Sequence, residues 1–80
     1  MLFRSKTAET VACEVLRELE RIAYEGVKGE LRITMNPEVA EQLGQKMEKH
    51  LEWVRGRYGL DVSVLADARF HHEQFEILEL

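Results

Sequence analysis

The chain is poor in the residues that staple or punctuate small proteins. Of its 80 residues, one is cysteine and one is proline. A single thiol, Cys13, excludes an intrachain disulfide and suits a reducing, cytoplasmic setting. There is no internal repeat, no low-complexity tract and no linker long enough to divide the chain. No apolar run reaches the roughly 18 residues that a membrane span needs, and 32% of the residues are charged. Met1-Leu2-Phe3 before Arg4 is too short for a signal peptide. Basic charge is also scarce, with 11 Lys and Arg against 15 Asp and Glu, a net charge of −4. Phosphate contacts supply most non-specific affinity for nucleic acid, so free-standing binders are usually basic. The balance therefore argues against RNA binding by the chain as a whole and leaves room only for a local basic patch.

What is present describes one small soluble domain over residues 1–80. Its hydrophobic fraction of 45% is ordinary for a globular chain. A core of this size is marginal: about 25 cal/mol per Å² of buried apolar area nearly cancels against about 1.5 kcal/mol of entropy per ordered residue. Small domains commonly add disulfides, a metal or a partner chain. With no disulfide and no metal-ligand spacing, a partner surface is the expected stabiliser.

Periodicity predicts five elements. Val11, Ala12, Val15, Leu19, Ile22 and Ala23 recur at helical steps across residues 8–25, with Thr7 as N-cap and Gly26 as stop. Residues 29–35 alternate as a strand with Leu31, Ile33 and Met35 on one face. Asn36-Pro37 is a strong helix start, and Val39, Leu43, Met47, Leu51, Val54 and Tyr58 carry one stripe to Gly59. Residues 60–65 and 74–79 read as two more strands, joined by a loop over Ala66 to Glu73. The order α-β-α-β-β, with a right-handed β-α-β crossover, gives an α+β two-layer sandwich. Its three-stranded mixed sheet pairs the first two strands in parallel, and two helices cover one face.

Two features are left over from that packing. The uncovered sheet face carries Glu30, Arg32, Thr34, Asp61, Ser63 and Glu76, but also Leu65, Leu78 and Leu80. If the second and third strands pair, these leucines cluster, and either Leu2 and Phe3 or a second chain covers them. The second helix, about 33 Å long, exceeds a strand of about 20 Å, so its end overhangs the sheet. Trp53 near that end either packs on the first helix or serves as an interface anchor.

Candidate chemistry is thin. Gly26-Val27-Lys28-Gly29 fits the RNA-clamping GxxG pattern, but it joins a helix to a strand and reads better as a helix stop followed by a turn. Lys46, Lys49, Arg55 and Arg57, with His50, Trp53 and Tyr58, form a candidate basic and aromatic RNA platform, interrupted by Glu48 and Glu52. Basic residues late in a helix also complement its negative end without any ligand. His71-His72-Glu73 lacks HExxH or Cys spacing, and adjacent histidines on an extended segment point opposite ways, so no metal site is read there. Cys13 is expected to be a buried structural thiol rather than a nucleophile, with His50 the only histidine that packing brings close. No Ser-His-Asp set, P-loop or zinc-finger spacing occurs, and no catalytic residue is assigned.

Three stretches in fixed order add to this reading: Ser5 to Glu18, Asn36-Pro37-Glu38-Val39-Ala40-Glu41-Gln42-Leu43, and His71-His72-Glu73-Gln74-Phe75-Glu76-Ile77. Together, from about Phe3 to Leu78, the chain resembles the C-terminal small domain of the ribonuclease E/G family. One departure is His72, where the family segment has proline. The resemblance implies a parent endoribonuclease that cuts single-stranded RNA in ribosomal RNA processing and message decay. It also implies a magnesium-dependent catalytic domain, an S1 RNA-binding domain and a zinc-link segment upstream, all absent from these 80 residues. No family catalytic residue matches a position here, so no cofactor is assigned to this chain.

The sequence reading is thus a non-catalytic assembly domain that forms a homo-oligomer or docks on the rest of its parent ribonuclease. Its candidate interface is Leu65, Leu78, Leu80 and Trp53. The alternative is a stand-alone RNA-binding module that uses the end of the second helix through Lys46, Lys49, Trp53, Arg55 and Arg57.

Overall fold

The computed structural model describes residues 7–80. Thr7 opens the first helix: its Oγ1 accepts the Thr10 N–H at 3.1 Å, giving a partner to one of the amides a helix start leaves unbonded. Helix α1 spans Ala8–Tyr24, with Val11, Ala12, Val15, Leu16, Leu19 and Ala23 buried along one face. Arg21 pairs with Glu18 and Glu25 on the exposed side. Gly26 and Gly29 have φ of +94° and +110°, a region that L side chains rarely adopt. The segment between them is the turn into the next strand. The GxxG spacing is accounted for by that turn.

Strand β1, Gly29–Met35, is the centre of the sheet. Helix α2, Pro37–Lys46, begins with Asn36 as N-cap and Pro37 in its first turn. Helix α3, Glu48–Tyr58, ends at Gly59, whose φ of +68° is the left-handed conformation that stops a helix. Strand β2, Leu60–Ala66, and strand β3, Phe75–Glu79, complete the order α1-β1-α2-α3-β2-β3.

The single helix expected from Pro37 to Tyr58 is therefore two. The break falls at Met47, with φ −123° and ψ 12°. Gly44, one turn earlier, weakens helix continuity by about 1 kcal/mol relative to alanine. The bend keeps Val39 and Leu43 of α2 and Leu51 and Val54 of α3 all in the core, where a straight rod would overhang.

The sheet order is β2-β1-β3, with β1 parallel to β2 and antiparallel to β3. The fold is an α+β sandwich with a three-stranded mixed sheet. Leu31, Ile33 and Met35 of β1 are buried with Leu60 and Val62 of β2 and the apolar stripes of the helices. Phe75 and Ile77 of β3 pack partly buried against that core.

Candidate functional site

The sheet register decides where the three sheet leucines lie. Across the helix-free face, Leu65 shares a row with Thr34 and Glu76, and Leu78 shares one with Arg32 and Ser63. Because β1 separates β2 from β3, Leu65 and Leu78 are two strands apart, about 10 Å. The leucines do not form the tight cluster that pairing of the two outer strands would have made. They remain exposed, Leu65 at 48%, Leu78 at 42% and Leu80 at 58%. Leu2 and Phe3, proposed as a cover, lie outside the described residues. Thr34 at the middle of this face is the one polar residue in the buried set among the described residues.

The two edges of the sheet differ. On β2, the Arg55 guanidinium of α3 donates to the Val62 carbonyl. On β3, the Leu80 N–H donates to the Glu30 carbonyl at 2.9 Å. Glu30 and Leu80 continue the register in which Arg32 faces Leu78 and Thr34 faces Glu76. In an antiparallel ladder, hydrogen-bonded and non-hydrogen-bonded pairs alternate. The backbone groups of Glu76, Leu78 and Leu80 therefore turn toward β1. Those of Phe75, Ile77 and Glu79 turn outward, and no described strand pairs with them.

The candidate RNA platform is divided by the structure. Lys46 Nζ is 2.7 Å from Glu9 Oε2. Arg55 is half-buried and turned toward β2 through Val62, so it is not part of an outward patch. Its Nε is buried without a partner among the described residues. Lys49, Trp53 and Arg57 follow one another at four-residue steps and are exposed, Trp53 at 54%. Trp53 makes edge-on ring contacts with His50 and Tyr58 at centroid distances of 6.2 and 6.4 Å. The basic residues left facing outward are Lys49 and Arg57, with Glu48 and Glu52 beside them.

Cys13 is exposed rather than buried, which corrects the sequence reading. Each helical residue advances about 100°, so the position after buried Ala12 falls on the flank of the stripe. The thiol borders an open cleft of about 220 Å³ lined by Cys13, Leu16, Arg17, Glu20, Met47 and His50. His50 Nε2 meets Glu20 Oε1 across that cleft and joins α3 to α1.

The 67–74 segment is a folded loop. The Asp67 N–H donates to the Met35 carbonyl at 2.8 Å, and Asn36 Nδ2 donates to the Phe70 carbonyl at 2.8 Å. Arg69 binds both carboxylate oxygens of Asp67 and holds that carboxyl below the usual aspartate range, chiefly through the side-chain hydrogen bond. The His71 and His72 rings lie together at 4.5 Å because the backbone turns there rather than running extended. His71 Nδ1 accepts the Glu73 N–H at 3.2 Å. Among the described residues no group of three or more His, Cys, Asp or Glu is placed to hold a metal ion. No described helix is long and apolar enough to cross a membrane.

The fold and its surfaces define a small α+β domain whose exposed features among the described residues are a sheet face, a sheet edge and a helix ridge. Residues 4–80 match the family described as "RNase E/G, Thioredoxin-like domain". The chain belongs to that ribonuclease E/G domain family. No curated protein matches the chain. Dithiol exchange of the thioredoxin kind needs two thiols, and within these 80 residues Cys13 stands alone.

Proposed function

We propose that this domain is the C-terminal small domain of a ribonuclease E/G-type endoribonuclease and that it serves assembly rather than bond cleavage. The observation that carries this reading is the helix-free sheet face, where Leu65 stands exposed on β2 and Leu78 and Leu80 stand exposed beside the β3 edge, with which no described strand pairs. Leu78 on β3 and Leu80 just after it are same-face neighbours, and such an apolar pair beside strand groups that no described strand uses suits a docking site. The partner is a second copy or the remainder of the parent enzyme. That parent cuts single-stranded RNA in ribosomal RNA processing and message decay in the cytoplasm. Magnesium and zinc belong to its other parts, and no residue of this chain is assigned to either.

Light scattering tests the reading. Changing Leu78 and Leu80 to Ser together is expected to weaken self-association or docking on the parent. Association unchanged by the pair of substitutions would remove the sheet face from the interface. Incubation of the chain with labelled single-stranded RNA and magnesium is expected to leave the RNA intact.

A second reading, RNA contact by α3, is favoured by the exposed ridge of Lys49, Trp53 and Arg57. A stacking aromatic between two cations is the elementary unit of a single-strand platform. Two cations give a shallow dependence of affinity on salt, whereas a dedicated binder with many phosphate contacts shows a steep one.

A further inference from the structure

We propose that two copies of the chain join through β3, running antiparallel about a two-fold axis at Ile77, to make one continuous six-stranded sheet. The inference rests on the assembly reading above and names the strand, the register and the partner. Three observations lead to it.

First, the edges are unequal. An edge strand offers unpaired N–H and C=O groups as a template for another strand, and proteins commonly blunt such edges. Here Arg55 takes up a carbonyl of β2, while nothing among the described residues takes up the outer groups of β3.

Second, the parity of the β1–β3 ladder turns the N–H and C=O of Phe75, Ile77 and Glu79 outward. With the axis at Ile77, its N–H and C=O bond to those of Ile77 in the second copy. Phe75 then faces the second copy's Glu79, and Leu78 faces its Glu76. The part-buried Ile77 side chains of the two copies meet on the helix side and extend the apolar row of Val64, Ile33 and Ile77 into its symmetry mate.

Third, the charges suit this register. On the helix-free face the row Ser63–Arg32–Leu78 is continued by Glu76 and Thr34 of the second copy. Arg32 can reach over Leu78 to that Glu76, and the symmetry repeats the contact. Neither Arg32 nor Glu76 has an ion pair among the described residues. The competing two-fold, centred on Leu78, would instead continue the row Asp61–Glu30–Leu80 with Glu76 of the second copy and bring carboxylates together. Like charges across strands are unfavourable, so the axis falls at Ile77.

Sedimentation or light scattering of the 80-residue chain, with folding checked by circular dichroism, tests the pairing. Ile77→Pro removes an N–H that β1 does not use and should raise the dimer dissociation constant at least about tenfold. Arg32→Glu and Glu76→Arg lie on the exposed face and do not depend on the proline variant folding. Each alone should weaken the dimer, and the two together should restore it. In a Cys13→Ser background, Ile77→Cys should form an intermolecular disulfide on oxidation far more readily than Leu78→Cys, because only the former pairs with itself at bonding distance. A dimer of wild-type strength in folded Ile77→Pro overturns the β3 pairing while leaving assembly in place. So does a charge swap that fails to restore association, or crosslinking at Leu78→Cys in place of Ile77→Cys. A wild-type chain that stays monomeric at every concentration, and does not dock on its parent, overturns the pairing and the assembly reading together.

Discussion

Asn36 and Phe70, far apart in sequence, are joined by one side-chain amide that does two jobs. Its Oδ1 accepts the Glu38 N–H at 2.9 Å and caps α2, while its Nδ2 donates to the Phe70 carbonyl at 2.8 Å and ties the loop before β3 to the end of β1. Asn36→Asp keeps the cap and deletes the donor. It should cost about 0.5–1.5 kcal/mol, the worth of one hydrogen bond. Asn36→Ala deletes both and should cost about 0.5–2 kcal/mol more for the cap. Denaturant titration of the two variants separates the contributions: no loss in Asn36→Asp would show that the loop tether is idle, and equal losses in the two would show that the cap is.

Arg55 and Arg57 are two residues apart but should behave differently. Arg55 donates into β2, whereas Arg57 is exposed on the α3 ridge. Arg55→Ala should lower unfolding stability by about 1.5–3 kcal/mol, the range for a hydrogen bond to a charged group. Arg57→Ala should change stability by less than about 0.5 kcal/mol. Any weak RNA affinity should fall with Arg57→Ala, Lys49→Ala and Trp53→Ala. A larger stability loss at Arg57 than at Arg55 would invert the assignment.

Helix glycines offer a stability test of opposite signs. Gly44 and Gly56 lie within helices with open space where a Cβ would stand. Gly44→Ala and Gly56→Ala should each stabilise by about 0.5–1 kcal/mol. Gly59 also faces open space but sits at φ +68°. Gly59→Ala should destabilise by about 1 kcal/mol, because the left-handed conformation, not crowding, is the obstacle. Thermal unfolding of the three variants would distinguish the cases.

The Asp67–Arg69 pair gives a pH dependence. The carboxyl titrates lower in the folded chain than in the unfolded one because Arg69 hydrogen-bonds its charged form. The unfolded state therefore takes up the proton first. The contribution is present above the ordinary aspartate range and is lost as pH falls through the depressed folded value. Carboxyl NMR titration should place Asp67 below the usual range, and Arg69→Ala should raise it toward that range, with the backbone N–H of residue 69 still donating to Oδ1. An unmoved midpoint in Arg69→Ala would assign the shift to another cause.

The local elements of this protein were legible in its sequence. Thr7 and Asn36 as caps, Gly26 and Gly59 as stops, and the alternation from Leu31 to Met35 each act through near neighbours, so composition and spacing suffice to read them. The break at Met47 was not legible, because the apolar stripe from Val39 to Tyr58 continues in register across it and only packing demands the bend.

What the sequence by itself determined is the first helix, the three strands and the two ends of the helical stretch from Pro37 to Tyr58, with their inward faces and the membership of three leucines on the outer sheet face. Only the tertiary structure decided that β1 is central and the leucines are apart, that Arg55 turns inward while Cys13 turns outward, and that β3 is an edge with which no described strand pairs. Those outcomes depend on which strand lies beside which and on a register set by long-range hydrogen bonds, and periodicity along one chain carries no record of either.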